Sequence, residues 1–418
     1  MRNYRSSAAA VSVAMLALTG VAGADEAAAP AAPAAPAAAA AAPAKYTGPT
    51  LSDILMGSGL TATGYVDATY GYSHNDSLSQ SGPNNCNCKT DYNSFALNQA
   101  GFTLAMQPMS GFGGLVNVVA GSDPYNGLGN GALAGHVSTL NQSSTSFYLM
   151  QGFAQYAGGP WTIQAGKFGT LAGAEVFAPN GNTNVTRSIL FNYEPVTHTG
   201  VRATYAASDK VSLIAGVNNG WTGSQELADG SDKTGELGLS VTPNKMLSWT
   251  LQSYFGRDYI LWNPNATPTL KAQVILVDTV LTWNATSALT LVGTADYGNV
   301  GSATSTPSAS WWGVAGYVNY ALSDQWRVSV RGEYFDDTDG YWTGAYLYSS
   351  GKTAGITTHA EKLEEGTVTL GYDPAKNFEL RIEGRADFPS PSYGTTNATA
   401  RLYESKTYQG WLEAQFKF

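Results

Sequence analysis

An alternation of apolar and polar residues with a period of two recurs along most of this chain. The stretch QWRVSVRGEYF at residues 325–335 is typical, since its alternate positions read W-V-V-G-Y and R-S-R-E. This pattern predicts a β-strand with one apolar face and one charged face. In a soluble sheet the apolar face packs on a protein core, whereas in a membrane barrel it contacts lipid and the charged face turns inward.

The number and length of such segments favour the membrane barrel. About sixteen of them occur after residue 59, each roughly ten to thirteen residues long, which suits tilted spanning strands better than globular sheets. Short connections rich in Gly, Pro, Asn, Asp and Ser alternate with long ones. The sequence therefore predicts an all-β fold, a transmembrane antiparallel up-and-down β-barrel of about sixteen strands with short periplasmic turns and long extracellular loops.

The composition agrees with a membrane protein that spans with strands. Only 13% of the 418 residues are charged, against roughly 25% in soluble domains. No apolar run long enough for a membrane helix follows the N-terminus. Aromatic residues cluster near both ends of the predicted strands on the apolar positions, as the two interfacial girdles of a barrel do.

The N-terminal region predicts export from the cytoplasm. Residues 1–24 have a basic start, a short apolar run and an Ala-Gly-Ala cleavage site, which are typical of a signal peptide. Residues 25–58 contain an Ala/Pro-rich tract, predicted to form a semi-rigid periplasmic linker, and residues 59–418 form the predicted outer-membrane barrel. Cleavage of the signal peptide would remove Arg2 and Arg5 and leave 20 basic against 31 acidic residues. The resulting formal net charge of −11 argues against a nucleic-acid partner.

The C-terminus and the two cysteines complete the chain-wide features. The last strand alternates to a terminal Phe418, resembling the signal by which barrels are handed to the outer-membrane assembly machinery. That machinery and outer-membrane lipid are the predicted partners. The sequence leaves open whether Cys86 and Cys88 are paired. Neither a metal nor a cofactor is predicted, because structural metal sites usually need four ligands and only His74 lies nearby.

Several motifs resemble those of the OmpL-like family of β-barrel porins of Gram-negative envelopes. They are Gly166-Lys167-Phe168, Gly173-x-Glu175, Asn184, Arg187-Ser188, Phe191, Pro195, His198-Thr199-Gly200-Val201-Arg202 and the late stretch WWGVAGYVNYALSDQWRVSVRGEYFDD. The resemblance covers about residues 59–418 and not the Ala/Pro-rich tract. It implies an outer-membrane channel but no particular solute.

Charged positions on the inward faces of the predicted strands give the candidate pore lining. They are Arg202, Arg327, Arg331, Glu333, Glu379, Arg381, Glu383 and Arg385. Rings of charged side chains in a pore set its ion selectivity. The alternative is that these groups only pair with one another in a lumen too wide to fill with apolar side chains.

The long segment after the fifth predicted strand, residues 169–194, is the candidate constriction loop. In general porins a loop at the corresponding place folds inward and narrows the pore. Glu175, Asn184 and Arg187 are the predicted constriction residues, with Glu175 set against the arginine-rich wall. The alternative is a loop that stays outside, as most long loops do.

The function predicted from these features is passive diffusion of small hydrophilic solutes or ions through a water-filled charged lumen. A substrate-selective channel and a non-transporting adhesin or anchor barrel are the alternatives. An enzyme is not predicted, because G-x-S-x-G, H-E-x-x-H and P-loop motifs are absent from the sequence. The solute, the sign of the selectivity and the oligomeric state stay open, although homotrimers are common among barrels of this size.

Overall fold

The computed structural model describes most of the predicted barrel. The described residues are 57–74, 93–124, 146–220, 232–259, 271–302, 308–337, 339, 361–389 and 406–418. All of them belong to one compact unit, Pro49–Phe418. The predicted signal peptide, all but the last two residues of the predicted linker, and both cysteines lie outside the described residues.

Sixteen antiparallel strands form one closed barrel in which each strand pairs with its neighbours in sequence. The strands are β1 Thr61–Ser73, β2 Ser94–Met106, β3 Gly111–Gly121, β4 Ser146–Gly158, β5 Trp161–Gly169, β6 Thr197–Ala206, β7 Val211–Asn218, β8 Thr234–Asn244, β9 Leu247–Tyr259, β10 Lys271–Asn284, β11 Leu289–Val300, β12 Ala309–Ala321, β13 Trp326–Asp337, β14 Glu361–Ala375, β15 Phe378–Pro389 and β16 Thr407–Lys417. This architecture confirms the predicted fold class.

Pairing of the first and last strands closes the barrel. Val66 lies opposite Phe416 in the register of β1 and β16. The backbones of Gly64 and Phe418 exchange two hydrogen bonds of 2.9 Å, so the C-terminal residue itself takes part in closure. Closure leaves no open sheet edge, which a structure in lipid requires because no water is there to bond free backbone groups.

Burial along the strands is inverted relative to a soluble protein. On β13, Trp326 and Val330 are 42% and 40% exposed on the outer face, whereas Ser329 and Arg331 are 0% and 1% exposed on the inner face. Apolar residues on the outside and charged residues on the inside are the arrangement of a barrel in lipid. Among the described residues, no helix is long and apolar enough to cross a membrane.

One long connection, residues 170–196, is described in full and runs inside the barrel. It contains two 3-10 turns, Pro179–Gly181 and Leu190–Tyr193. Ile189 and Leu190 pack with apolar side chains of β9 to β14, and Phe177 packs with side chains of β3 and β4. We call residues 170–196 the inward segment, because these contacts hold it against the inner face of the barrel.

Candidate pore and constriction

Two glutamates of the barrel wall bind backbone N–H groups of the inward segment. Glu383 on β15 accepts hydrogen bonds from the amides of Val185, at 2.6 Å, and Thr186, at 2.9 Å. Glu333 on β13 accepts a hydrogen bond of 2.7 Å from the amide of Ile189. Breaking buried hydrogen bonds of this kind leaves polar groups unsatisfied, so both glutamates are firm attachment points for the segment.

Four arginines of the same wall bind backbone carbonyls of the inward segment. The donors and acceptors are Arg327 to Thr183 at 2.7 Å, Arg331 to Thr186 at 2.7 Å, Arg381 to Pro179 at 3.3 Å and Arg385 to Arg187 at 2.5 Å. The strand register sets them in two pairs. Arg327 and Arg381 both align with Gly371 of β14, and Arg331 and Arg385 form the other pair. We call these four arginines, with Glu333 and Glu383, the clamp.

Buried carboxylates neutralise the clamp arginines. Glu365 of β14 lies 3.0 Å from Arg331, and Asp387 lies 2.8 Å from Arg385. Glu379 contacts two arginines, at 2.5 Å from Arg327 and 2.8 Å from Arg381. Removing one partner of a buried pair leaves an uncompensated charge, so these pairs make each clamp residue costly to replace.

Within the inward segment, the Arg187 side chain connects the later part of the segment to residues 176–177. Its side chain is fully buried and donates to the carbonyls of Val176 and Phe177, both at 2.9 Å. Glu175 accepts hydrogen bonds from the Ser188 amide at 2.6 Å and from Arg331 at 2.8 Å. The segment is therefore a folded hairpin-like unit cross-linked by its own charged side chains.

A cavity lies on the other side of the inward segment. This cavity of about 530 Å³ separates residues 169–178 from the wall formed by β1 and β3 to β6. Asn117, Gln151 and Gln164 supply neutral amides to it, beside aromatic and aliphatic side chains. The clamp thus holds the segment against one wall, and the cavity lies between the segment and the opposite wall.

Comparison with known proteins identifies the family. The model of the family described as Putative beta-barrel porin-2, OmpL-like matches residues 59–418, which is most of the chain. The chain belongs to this family of outer-membrane porins. No curated protein matches it in sequence. This match confirms the resemblance noted in the motifs. The family places the protein in the outer membrane.

Solved structures share the fold of this OmpL-like porin at low sequence identity. The outer membrane channel DcaP of Acinetobacter baumannii is 10% identical with a TM-score of 0.55, over 86% of this chain and 97% of that chain. OmpT of Vibrio cholerae in its trimer form is 11% identical with a TM-score of 0.54, over 86% and 99%. OprB of Pseudomonas putida is 12% identical with a TM-score of 0.52, over 87% and 96%.

The structure places the eight candidate pore-lining residues of the porin in two groups. Seven of them are together on β13 and β15, namely the six clamp residues and Glu379. Arg202 stands apart on β6, where it binds Glu236 at 2.8 Å and the Gly169 carbonyl at 3.0 Å. Most of the group is buried beneath the inward segment, and Arg327 keeps the most exposure, at 21% of its side chain.

The three candidate constriction residues all lie within the inward segment. Glu175 borders both the clamp and the cavity. Asn184 donates a hydrogen bond of 2.7 Å to Thr369 of β14, so it faces the wall. Arg187 is enclosed within the segment. Of the three, Glu175 is the one that lines the cavity.

Sequence reasoning missed a cluster of three buried acids, Glu194, Asp278 and Asp296. Burial raises the pKa of the Glu194 carboxyl well above its usual range, and the nearby Asp278 raises it further. One signal was available, since Asp278 is an isolated charge in the otherwise apolar centre of β10. Its partner from the inward segment gave no signal, because a loop acid is usually solvated.

Gly173 supports the start of the inward segment and yields a first prediction. Its φ of +85° disfavours a side chain, and a Cβ there would overlap the Glu194 carboxylate. Gly173→Ala should therefore destabilise the fold by about 1–3 kcal/mol. Urea titration of the barrel in lipid vesicles measures this loss. Gly316→Ala is the control, because a Cβ at that position meets nothing within 4 Å, and equal losses in the two variants would contradict the prediction.

Proposed function

We propose that this OmpL-like porin conducts small hydrophilic solutes and ions by passive diffusion through a lumen that the inward segment narrows. The observation that carries the proposal is the clamp, in which six charged side chains fix the segment to β13 and β15. A fixed segment leaves a constant passage on the opposite side, beside β1 and β3 to β6. Such a passage needs no moving part and no energy source.

The charge of the interior supports a finer proposal, a preference for cations. Among the described residues, buried carboxyl side chains outnumber the five buried arginines even when the unpaired acids Glu194, Asp278 and Asp296 are left out. Fixed charges of one sign around a water-filled path raise the local concentration of the opposite ion. A substrate-selective channel is the second candidate function, favoured by the amide-lined cavity, whose neutral hydrogen-bonding groups suit uncharged polar solutes.

Reversal potentials across planar bilayers in a salt gradient test the preference. The wild type should be cation-selective, and Glu175→Gln should shift the reversal potential toward anions, because a fixed negative charge beside the passage is removed. The shift should shrink at about 1 M salt, where the Debye length is about 3 Å. Asp324→Asn, in the exposed turn between β12 and β13, is the control and should shift the potential less. Anion selectivity of the wild type would refute the preference.

Conductance and substrate turnover together separate the rival classes. A non-transporting anchor or adhesin barrel gives no ion steps in a planar bilayer, whereas the proposed channel does. An outer-membrane hydrolase would turn over ester, peptide or glycosidic substrates without needing to conduct. Steady single-channel steps together with inactivity toward such substrates support the channel, and a silent bilayer refutes it.

The proposal also covers the N-terminal tract, the assembly of the barrel and its oligomeric state. The Ala/Pro-rich tract serves as a periplasmic linker, because its regular prolines favour an extended chain. Phe418 presents the closing strand to the assembly machinery, because its backbone completes the pairing with β1. A homotrimer is proposed for the assembled state, since OmpT of Vibrio cholerae, which shares the fold, has a trimer form.

A further inference from the structure

Three buried carboxylates meet where the end of the inward segment contacts β10 and β11, beside the strands of the clamp. Glu194 belongs to the segment, while Asp278 on β10 and Asp296 on β11 are direct partners in the strand register. One oxygen atom of each residue lies within 4.8 Å of the others. None of the three is more than 5% exposed. The three residues form what we call the acid triad.

The acid triad differs from the clamp in having no basic partner. Each clamp glutamate is bonded to N–H groups, and the acids behind the clamp are paired with arginines. Among the described residues, no salt bridge reaches any member of the acid triad. Three ionised carboxylates this close in a buried site repel one another strongly, so protons or a cation must neutralise them.

Two orphaned oxygen atoms favour the cation. Asp278 Oδ1 and Asp296 Oδ1 are completely buried and accept no hydrogen bond from an N–H or hydroxyl group in the described part of the chain, where the three carboxyl groups contact one another. Buried polar atoms are bonded in roughly 90% of cases or more, so two carboxylate oxygens without a donor in one acidic cluster leave bonding positions that a cation with its water can fill. The other oxygen of Asp278 accepts a hydrogen bond of 3.2 Å from Thr294, which fixes the orientation of the carboxylate.

We propose that the acid triad binds one divalent cation and that Ca²⁺ is the ion it suits. Its donors are all carboxylate oxygens, which hard cations prefer, and it lacks the nitrogen and sulfur ligands typical of zinc. Ca²⁺ accepts irregular geometry and completes its shell with water, whereas Mg²⁺ demands near-ideal octahedra. The ion would tie the end of the inward segment to β10 and β11, on the side that the clamp does not reach.

The site has a short path to water. Gly173, whose backbone amide contacts the Asp278 carboxylate, also lines the cavity of the passage. A Cβ on Gly173 would overlap Glu194, so the chain passes directly over the triad at this point. An ion would therefore reach the triad from the cavity at this point.

Calcium titration of the folded, chelator-treated full-length porin tests the proposal by isothermal titration calorimetry. We expect one Ca²⁺ per chain, and Glu194→Gln and Asp296→Asn should each weaken binding at least about tenfold, since each removes one of three charged ligands. Glu413→Gln is the control, because Glu413 is a buried acid on β16 paired with Arg381. The Ca²⁺ affinity of the Glu413→Gln variant should stay within about twofold of that of the wild type.

The unfolding temperature gives a second readout that does not depend on heat of binding. Calcium should raise it for the wild type and for Glu413→Gln, and should leave it unchanged for Asp296→Asn, because an ion that binds only the folded state stabilises it. No saturable binding up to roughly 10 mM Ca²⁺, above the range of weak protein sites, would overturn the proposal. Equal binding in all variants would overturn it too. Either result leaves the triad as carboxyl groups that share protons.

Discussion

Replacing Arg331 with serine is expected to lower the free energy of unfolding by about 3–5 kcal/mol. Arg331 is fully buried and donates to Glu175 and to the Thr186 carbonyl, both in the inward segment, while pairing with Glu365 on the wall. Its loss leaves two carboxylates buried with too few donors. Urea titration of folding into lipid vesicles, followed by tryptophan fluorescence, measures the change.

A matched exposed ion pair provides the control for this result. Lys362 lies 3.4 Å from Asp336 and keeps 52% of its side chain exposed. Exposed pairs contribute little because water and salt screen them. Lys362→Ser should therefore leave the unfolding curve almost unchanged. A similar loss in both variants would mean that the clamp is no stronger than a surface contact.

Placing a charge on the lipid face is the second change with a large expected effect. Val330 is 40% exposed on the outer face near the middle of β13. Val330→Arg should cost about 2–4 kcal/mol if folding occurs into lipid, because arginine is poorly accommodated at the midplane. The same titration in detergent micelles should give a smaller loss.

Gln164→Arg is the lumen-facing control for Val330→Arg. Gln164 is a partly exposed residue of β5 that lines the cavity. A new arginine there extends into water and should fold nearly as well as the wild type. Equal losses for the two variants would contradict the assignment of the outer and inner faces.

The barrel could be predicted from sequence because its signal repeats in every strand. Period-two alternation fixes which residues share a face, and the turn residues fix where strands end. The tight turn of residues 322–325 between β12 and β13, for example, follows directly from Ser and Asp between two alternating runs. Closure between β1 and β16 then follows from the requirement for no free edge in lipid.

The partners of the inward side chains could not be predicted from sequence. Alternation indicates that Arg327, Arg331 and Ser329 point inward, but not that a segment from elsewhere in the chain covers them. Alternation alone would make Ser329 a tolerant lumen position. In the structure it is completely buried and accepts a hydrogen bond of 2.9 Å from Arg327. Contacts between residues 183–190 and β13 to β15 depend on how the segment folds, which no local pattern encodes.

The acid triad shows the same limit. Asp278 and Asp296 become neighbours through strand register, which alternation and turn length approximate. Glu194 joins them only because the inward segment crosses the lumen and ends beside β10 and β11. A site built from one wall pair and one segment residue is visible only once the segment is placed.

Single-channel conductance of a porin with a shortened inward segment tests the central claim most directly. Deleting residues 177–186 removes four of the six segment residues that the clamp holds and joins Val176 directly to Arg187. Conductance should rise, since the narrowest section dominates the resistance of a pore. Heat-modifiable gel mobility confirms that the barrel is folded. An unchanged conductance in a folded barrel would contradict the account, because the segment would then not limit the passage.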